Sequence, residues 1–357
     1  MKDFDKNLIA QRPTAEGIEY YDIRETNADM NGVFFDEENG KYARLTKSFA
    51  KSVSDGVAIL SEHTAGGRIR FKTNSRVLRI KTEWDELVRF VHFPLTGSCA
   101  LSLYADYNDG TSKFIHCFIP PLNPENGYEA EYKIPDYIKA DGYTLYMPLY
   151  NSLNKLWIGV SQGEKIESGL KYKRKEKVLF YGSSVTQGGC ASKAGNDYQS
   201  HLSRWFNFDF INLGFSGNAK GEENMAQYIA SLHPDVFVMD YDYNAPTIEH
   251  LQQTHKPFFE IFRKTNPYVP VIFMSRSSFD IDLIESPIRR DIIKSTYIWA
   301  KEQGDENVYF IDGENIFGED GDACTMDSCH PNDLGFYRTA QALRPVLQEI
   351  FEKENNK

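Results

Sequence analysis

Val178 to Gly195 reads VLFYGSSVTQGGCASKAG. A short apolar run enters a glycine, two adjacent serines and then more glycine. A continuous apolar stretch of this length, bounded by turn residues, is the pattern of a strand buried on both faces. The polar turn after it is either a plain strand-to-helix connection or the support of a nucleophile, and taken alone the segment leaves both open. It fails as a phosphate loop, because no Lys-Ser/Thr follows the last glycine at the needed spacing. It departs from the G-x-S-x-G elbow, since Thr186 stands where the second glycine would be. Gly182 still lets the backbone turn sharply off the strand.

Downstream of this stretch the same rhythm repeats. Strands are expected at 178–182, 209–214, 235–240, 269–275 and 307–312. Amphipathic helical segments lie between and after them, at 197–206, 222–232, about 247–265 and 288–303, and about 333–354. Apolar strands alternating with helices imply a parallel sheet covered on both faces, with its functional loops at the C-terminal strand ends.

Upstream the rhythm is different. RIRFK at 68–72, VLRIK at 77–81 and ALSLYADY at 100–107 are short, with alternating or β-prone residues. Turn residues separate them, among them Gly66-Gly67, Asn108-Asp109-Gly110, Asn126-Gly127 and Asp141-Gly142. This half predicts an all-β sandwich or jelly roll without a long amphipathic helix. The polar segment SQGEKIESGLKYKRKEK has the composition of a linker, so one domain is expected over 1–170 and a second over 175–357.

The whole chain has 357 residues and a net charge of −11, with no basic patch to offer phosphates, which argues against a nucleic-acid partner. No apolar run approaches the length of a membrane span, and the polar N-terminal stretch lacks the apolar core of a secretory signal. Five cysteines with no C-x-x-C fit reduced thiols, so a cytoplasmic location is expected.

Four strand-end loops carry the chemistry. Ser184 lies in the first and Gly217 in the second, NLGFSGNAKGE, where a glycine leaves a backbone N–H uncovered. Asn244 in MDYDYNAP offers an amide donor, though Asn-Ala-Pro is also a turn opener. In TMDSCHPNDLG, Asp327 precedes His330 by three residues, just before a helix for which Asn332 is a plausible N-cap. A turn between them would let the carboxylate fix the tautomer of the imidazole and leave its other nitrogen as a base. Cys324, Cys329 and His330 match no standard zinc spacing, and no metal is expected.

Ser, Gly, Asn and Asp-x-x-His in this order resemble the SGNH hydrolase superfamily, the GDSL-type esterases and lipases, over roughly residues 177–350. The matching blocks are FYGSSVTQG, NLGFSG, DYDYNA and DSCHPNDLG. The usual Asp before the nucleophile is Ser183 here, and the usual Gly-x-Asn-Asp block is replaced by DYDYNAP. The GSS-x-T-x-G form resembles a branch whose catalytic domain follows an N-terminal β-sandwich. GSCALSLY at 97–104 and PLYNSLNKLWIGV at 148–160 look like that first domain.

The resemblance implies an α/β protein. Its catalytic domain would be a three-layer α/β/α, flavodoxin-like fold with a five-stranded parallel sheet, preceded by the all-β domain. It implies Ser184 as nucleophile, His330 as base and Asp327 as its orienting acid, with Ser184, Gly217 and Asn244 forming the oxyanion hole. No metal or cofactor enters this chemistry. The expected substrate is a small-molecule or oligosaccharide ester, most of all an O-acetylated carbohydrate. Acyl transfer, or lipase-type hydrolysis of another ester, would use the same triad. A carbohydrate-binding protein with an inactive catalytic domain is the expectation from a different class. Exposed sandwich faces would also allow a homo-oligomer.

Overall fold

The computed structural model describes residues 12–355. It divides into two compact units. The first comprises the described residues up to Thr46 together with Glu62–Lys173 and Ser192–Gly195, and the second comprises Lys47–Ser61, Arg174–Ala191 and 196–355.

In the first unit the strands are β1 (Ile18–Asp22), β2 (Asp29–Asn31), β3 (Phe34–Asp36), β4 (Lys41–Ala43), β5 (Arg68–Lys72), β6 (Val77–Glu83), β7 (Leu101–Asp106), β8 (Ser112–Phe118), β9 (Glu129–Lys133), β10 (Gly142–Tyr146), β11 (Lys155–Ser161) and β12 (Glu167–Ser168). They form one antiparallel sheet in the order β1-β11-β6-β9 and another in the order β12-β5-β10-β7-β8, with β2 also on β5 and a β3–β4 hairpin apart. Period two explains the packing. In β6 the inward set is Leu78, Ile80 and Thr82, while Arg79 and Lys81 face away. Leu78, Ile80, Leu156 and Ile158 of one sheet share a core with Ile69, Phe71, Leu103 and Leu145 of the other, so the unit is a β-sandwich. The Asn-Asp-Gly turn between β7 and β8 forms as its residues demand, with Gly110 at φ 92°.

The second unit holds β13 (Lys177–Gly182), β14 (Asp209–Gly214), β15 (Val236–Asp240), β16 (Val271–Met274) and β17 (Val308–Ile311). All pairs are parallel, in the order β14-β13-β15-β16-β17. Its helices are α1 (Lys47–Val53), α2 (Asp55–Ser61), α4 (Ser184–Gln187), α5 (Tyr198–Phe206), α6 (Glu223–Ser231), α7 (Ile248–Thr265), α8 (Glu285–Glu302) and α9 (Asp333–Asn355), while α3 (Leu95–Ser98) lies in the first unit. Neighbouring side chains of β13 show why three layers result. Phe180 meets Tyr198 of α5 edge-on at 5.6 Å, whereas Tyr181 stacks on Phe258 of α7 at 5.1 Å on the opposite face. α9 lies beside α5, Tyr337 meeting Trp205 at 5.5 Å and Phe351 meeting Phe206 at 5.4 Å, while Phe336, Ala340, Leu343, Leu347 and Ile350 form a buried helical stripe.

α1 and α2 precede much of the sandwich in the chain yet fold with the second unit. Phe49 of α1 stacks on Tyr228 of α6 at 4.3 Å, and Asn224 donates to the Ser52 carbonyl at 2.8 Å. Among the described residues no helix is long and apolar enough to cross a membrane.

With this strand order, β13 lies between β14 and β15, and the chain leaves it toward both sides. Their C-terminal ends are therefore the switch point where open α/β sheets place ligands.

Candidate active site

The turn after β13 is shaped by what cannot fit there. A Cβ on Gly182 would collide with the Thr186 hydroxyl and the Asp240 carbonyl, and one on Gly214 would collide with the backbone of Thr186 and Gln187. With glycine at both positions, the chain closes against the neighbouring strand ends. Ser183 then caps α4, its hydroxyl accepting from the Val185 N–H at 3.2 Å, and Ser184 stands as the first residue of that helix. Gly188 ends the helix at φ 96°. Beneath the turn, the Thr186 carbonyl accepts from the Gln199 and Asn212 amides, each at 2.7 Å. Gln187 accepts from the Ser216 N–H at 3.0 Å, which ties the nucleophile turn to the loop carrying Gly217.

Asp327 and His330 come from one tight turn before α9. Ser328 adopts φ 69° at its centre, and Asp327 Oδ1 accepts from the backbone N–H groups of Cys329 at 3.1 Å and His330 at 2.7 Å. The other carboxylate oxygen lies 2.8 Å from His330 Nδ1. His330 Nε2 in turn lies 3.0 Å from the Ser184 hydroxyl. Burial opposes ionisation of Asp327, but the His330 N–H and imidazole and the Cys329 N–H outweigh it and hold the carboxyl below its ordinary range. An ionised Asp327 on Nδ1 places the proton there and leaves Nε2 as an acceptor facing Ser184. The turn closes on itself through the Met326 N–H to the His330 carbonyl, 2.9 Å, and Asn332 caps α9 by accepting from Leu334 and Gly335.

Gly217 is exposed at φ 69°, in open space, and its N–H has no partner among the described residues. Asn244 closes a one-turn 3-10 segment, Asp242–Asn244. Its side chain makes no hydrogen bond among the described residues, and its Oδ1 is buried. The structure thus joins Ser184, His330 and Asp327 in one hydrogen-bonded line. Gly217 and Asn244 lie on the loops that follow β14 and β15, on either side of the β13 end, with donor groups not consumed by the fold.

Three buried groups around these loops escape a reading of local pattern. Asp242 is buried and faces two guanidiniums, Arg276 at 3.3 Å and Arg289 at 3.4 Å. Arg289 also donates to the carbonyls of Asp242 and Ala245, bracketing Asn244. The Tyr243 hydroxyl, next in line, accepts from the Ser278 N–H at 2.7 Å and bonds the Ser277 hydroxyl at 3.1 Å. Ser278 donates to the Cys329 carbonyl at 2.7 Å, immediately before His330. Asp240 is buried under the nucleophile turn, accepting from the hydroxyls of Thr186 and Tyr198 at 3.0 Å each. Asp240 closes an otherwise apolar strand and Arg276 lies two residues beyond another, but nothing local marks Asp242, Tyr243 or Arg289.

Residues 175–348 match the GDSL-like Lipase/Acylhydrolase family, and residues 18–166 match the N-terminus of Esterase_SGNH_hydro-type. The chain belongs to the GDSL-like lipase/acylhydrolase family. No curated protein sequence matches it. Among solved structures, a Bacteroides ovatus protein assigned as a GDSL-like lipase is 28% identical, with a TM-score of 0.82 over 94% of this chain and 98% of that one. The salicylyl-acyltransferase SsfX3 of a tetracycline biosynthetic pathway is 17% identical, with a TM-score of 0.75 over 94% and 98%. A family two carbohydrate esterase from Cellvibrio japonicus is 10% identical, with a TM-score of 0.58 over 94% and 98%. These last two share the fold of this SGNH hydrolase.

Burial pushes the Asp240 carboxyl up to about 7, the Tyr198 and Thr186 hydroxyls pulling it down and the Asp242 charge adding to the rise. An acid whose folded pKa exceeds its unfolded value binds its proton more tightly when folded. Its stabilising contribution is therefore full below the unfolded value and is lost as pH rises toward 7. Asp240→Asn stays neutral throughout, so its stability relative to wild type should improve between pH 5 and 8 by at most about 3 kcal/mol, read from urea midpoints. A flat difference across that range would mean the carboxyl is ionised throughout. Asp242→Ala leaves two buried guanidiniums without their carboxylate and should cost about 3–5 kcal/mol in the same measurement.

Proposed function

We propose that the chain is a serine esterase acting on a small hydrophilic ester, with O-acetylated carbohydrate the favoured substrate class. The observation that carries the reading is the continuous line from the Ser184 hydroxyl through His330 to Asp327, with bonds of 3.0 and 2.8 Å. Ser184 Oγ attacks the ester carbonyl carbon while His330 Nε2 takes the hydroxyl proton. The positive charge on the imidazole is balanced by Asp327, which also fixes the ring. The oxyanion is held by the N–H groups of Ser184 and Gly217 and by the Asn244 amide, donors set in place before the reaction begins. Collapse of the tetrahedral adduct breaks the bond to the alcohol oxygen, which takes the proton from His330. Water then attacks the acyl-enzyme with His330 again as base, releasing the acid and restoring Ser184. Every step is carried by these side chains and backbone groups.

The carbohydrate preference draws on two supports. Structural neighbours include family two carbohydrate esterases, one of them in complex with cellohexaose, and an acetyl xylan esterase from a rumen bacterium. Tyr and Phe are also abundant, at 21 and 24 residues, although many are core. Acyl transfer to an alcohol is the second reading, favoured by the shared fold with a salicylyl-acyltransferase. It uses the same acyl-enzyme and differs in whether an alcohol or water is admitted at the second step.

Ser184→Ala should lower turnover of a short-chain aryl ester by about 10⁴-fold or more while leaving the circular dichroism spectrum unchanged. If Ser184→Ala keeps the activity and Ser216→Ala loses it, the nucleophile is misassigned. Asn244→Ala should lower kcat by roughly 10²–10³ with a smaller effect on KM, because its donor acts on charge that develops only in the transition state. Acetylated oligosaccharides should be cleaved in preference to long-chain lipid esters, and the reverse order would remove the carbohydrate assignment. Addition of alcohol acceptors, with product analysis, separates transfer from hydrolysis.

A further inference from the structure

The end of the parallel sheet opposite Ser184 carries a second concavity. Its lining comes from the C-terminal portions of α7 and α8 and from the segments that lead into β16 and β17, so it faces away from the strand ends that bear the triad. The hollow measures about 510 Å³, within the range of roughly 300–1,000 Å³ of small-molecule sites.

Its chemistry narrows the occupant. Tyr268 is 78% exposed, high for a large aromatic ring, and lines the hollow together with Trp299 and Phe259. The Lys256 ammonium sits 3.8 Å from the Trp299 ring centroid and Phe259 meets the same indole at a near-right angle at 6.5 Å, so the half-buried Trp299 offers a ligand only the part of its surface these two leave open. The charges nearby are already matched. Arg263 pairs with Asp305 at 2.8 Å, Lys256 approaches Glu260 at 4.0 Å, and Lys301 pairs with Glu306. Arg263 also donates to the carbonyls of Asn266, Val269 and Asn307. No uncommitted charge is left to select an ion. By contrast, Gln303 and Asn307 also line the hollow, and their side-chain amides make no hydrogen bond among the described residues.

The exposed Tyr268 ring and the half-buried Trp299, beside uncommitted amides, suit a ligand with apolar ring faces and uncharged hydroxyls at its edge. We propose that this hollow is a second, non-catalytic binding site for a neutral pyranose unit of an oligosaccharide. It stands independently of the esterase reading, because none of its residues belongs to the triad or its supports. Its effect would be to hold the chain on a polysaccharide while the distant triad works on acyl groups.

The test titrates the full-length chain with unacetylated cello-, xylo-, manno-, galacto- and chito-oligosaccharides, separately, by calorimetry and tryptophan fluorescence. At least one series should bind, and Tyr268→Ala should weaken it by about tenfold or more. Tyr268 is exposed, so this variant tests the site without disturbing the core. Ser184→Ala should bind as wild type does, and Tyr268→Ala should hydrolyse a soluble aryl ester at the wild-type rate. These paired readouts separate failure of the hollow from failure of the esterase assignment. Absence of binding by every series overturns the proposal. So does binding that survives both Tyr268→Ala and Trp299→Ala, or occupancy by indole-like apolar compounds alone.

Discussion

The buried carboxylate of Asp242 holds together the half of the site that the nucleophile turn does not reach. A lone charge in that position would be prohibitive, and the two guanidiniums of Arg276 and Arg289 make it tolerable. Arg276 follows β16 and Arg289 belongs to α8, so the cluster joins two elements to the segment after β15. Through Arg289 it fixes the backbone on both sides of Asn244. Through Tyr243 and Ser278 its influence extends to the carbonyl before His330. Asn244 and His330 are therefore braced by one connected set of side chains, although 86 residues separate them in the chain.

Ser184 rests on a different foundation. Its turn is pressed against neighbouring strand ends where glycine alone fits; from below, the Thr186 carbonyl accepts from Gln199 and Asn212, and the Thr186 hydroxyl donates to Asp240, which also accepts from Tyr198. These contacts come from β14, β15 and α5. The parallel arrangement that supplies them also brings the loops after β13, β14 and β15 to one edge of the sheet. Fold and chemistry are linked at this point: the switch point provides both the crevice and its bracing.

Much of this was legible in the residues. The continuous apolar runs marked all five parallel strands within a residue or two of where they form, because strands buried on both faces carry no polar alternation to confuse them. Ser184, Asp327 and His330 were visible because each lies in a loop of unusual composition, and the structure brings them within hydrogen-bonding distance. Asp240, Asp242 and the two arginines were not, since their meaning depends on partners tens of residues away and local periodicity says nothing of pairing. The helices at Lys47–Ser61 show the same gap: their seven-residue lengths give little periodicity, and only contacts such as Phe49 on Tyr228 decide with which unit they fold. The aromatic hollow is likewise invisible in sequence, because Phe259, Tyr268 and Trp299 come from separate segments.

The left-handed residue Ser328 has a mechanical consequence. By closing Asp327 and His330 into one cycle of three hydrogen bonds, it makes acid and base a single body rather than two parts delivered by separate segments. A displacement that keeps these three bonds would move carboxylate and ring together and leave the proton on Nδ1. The separation of Nε2 from the Ser184 hydroxyl can then vary without resetting which imidazole nitrogen carries the proton.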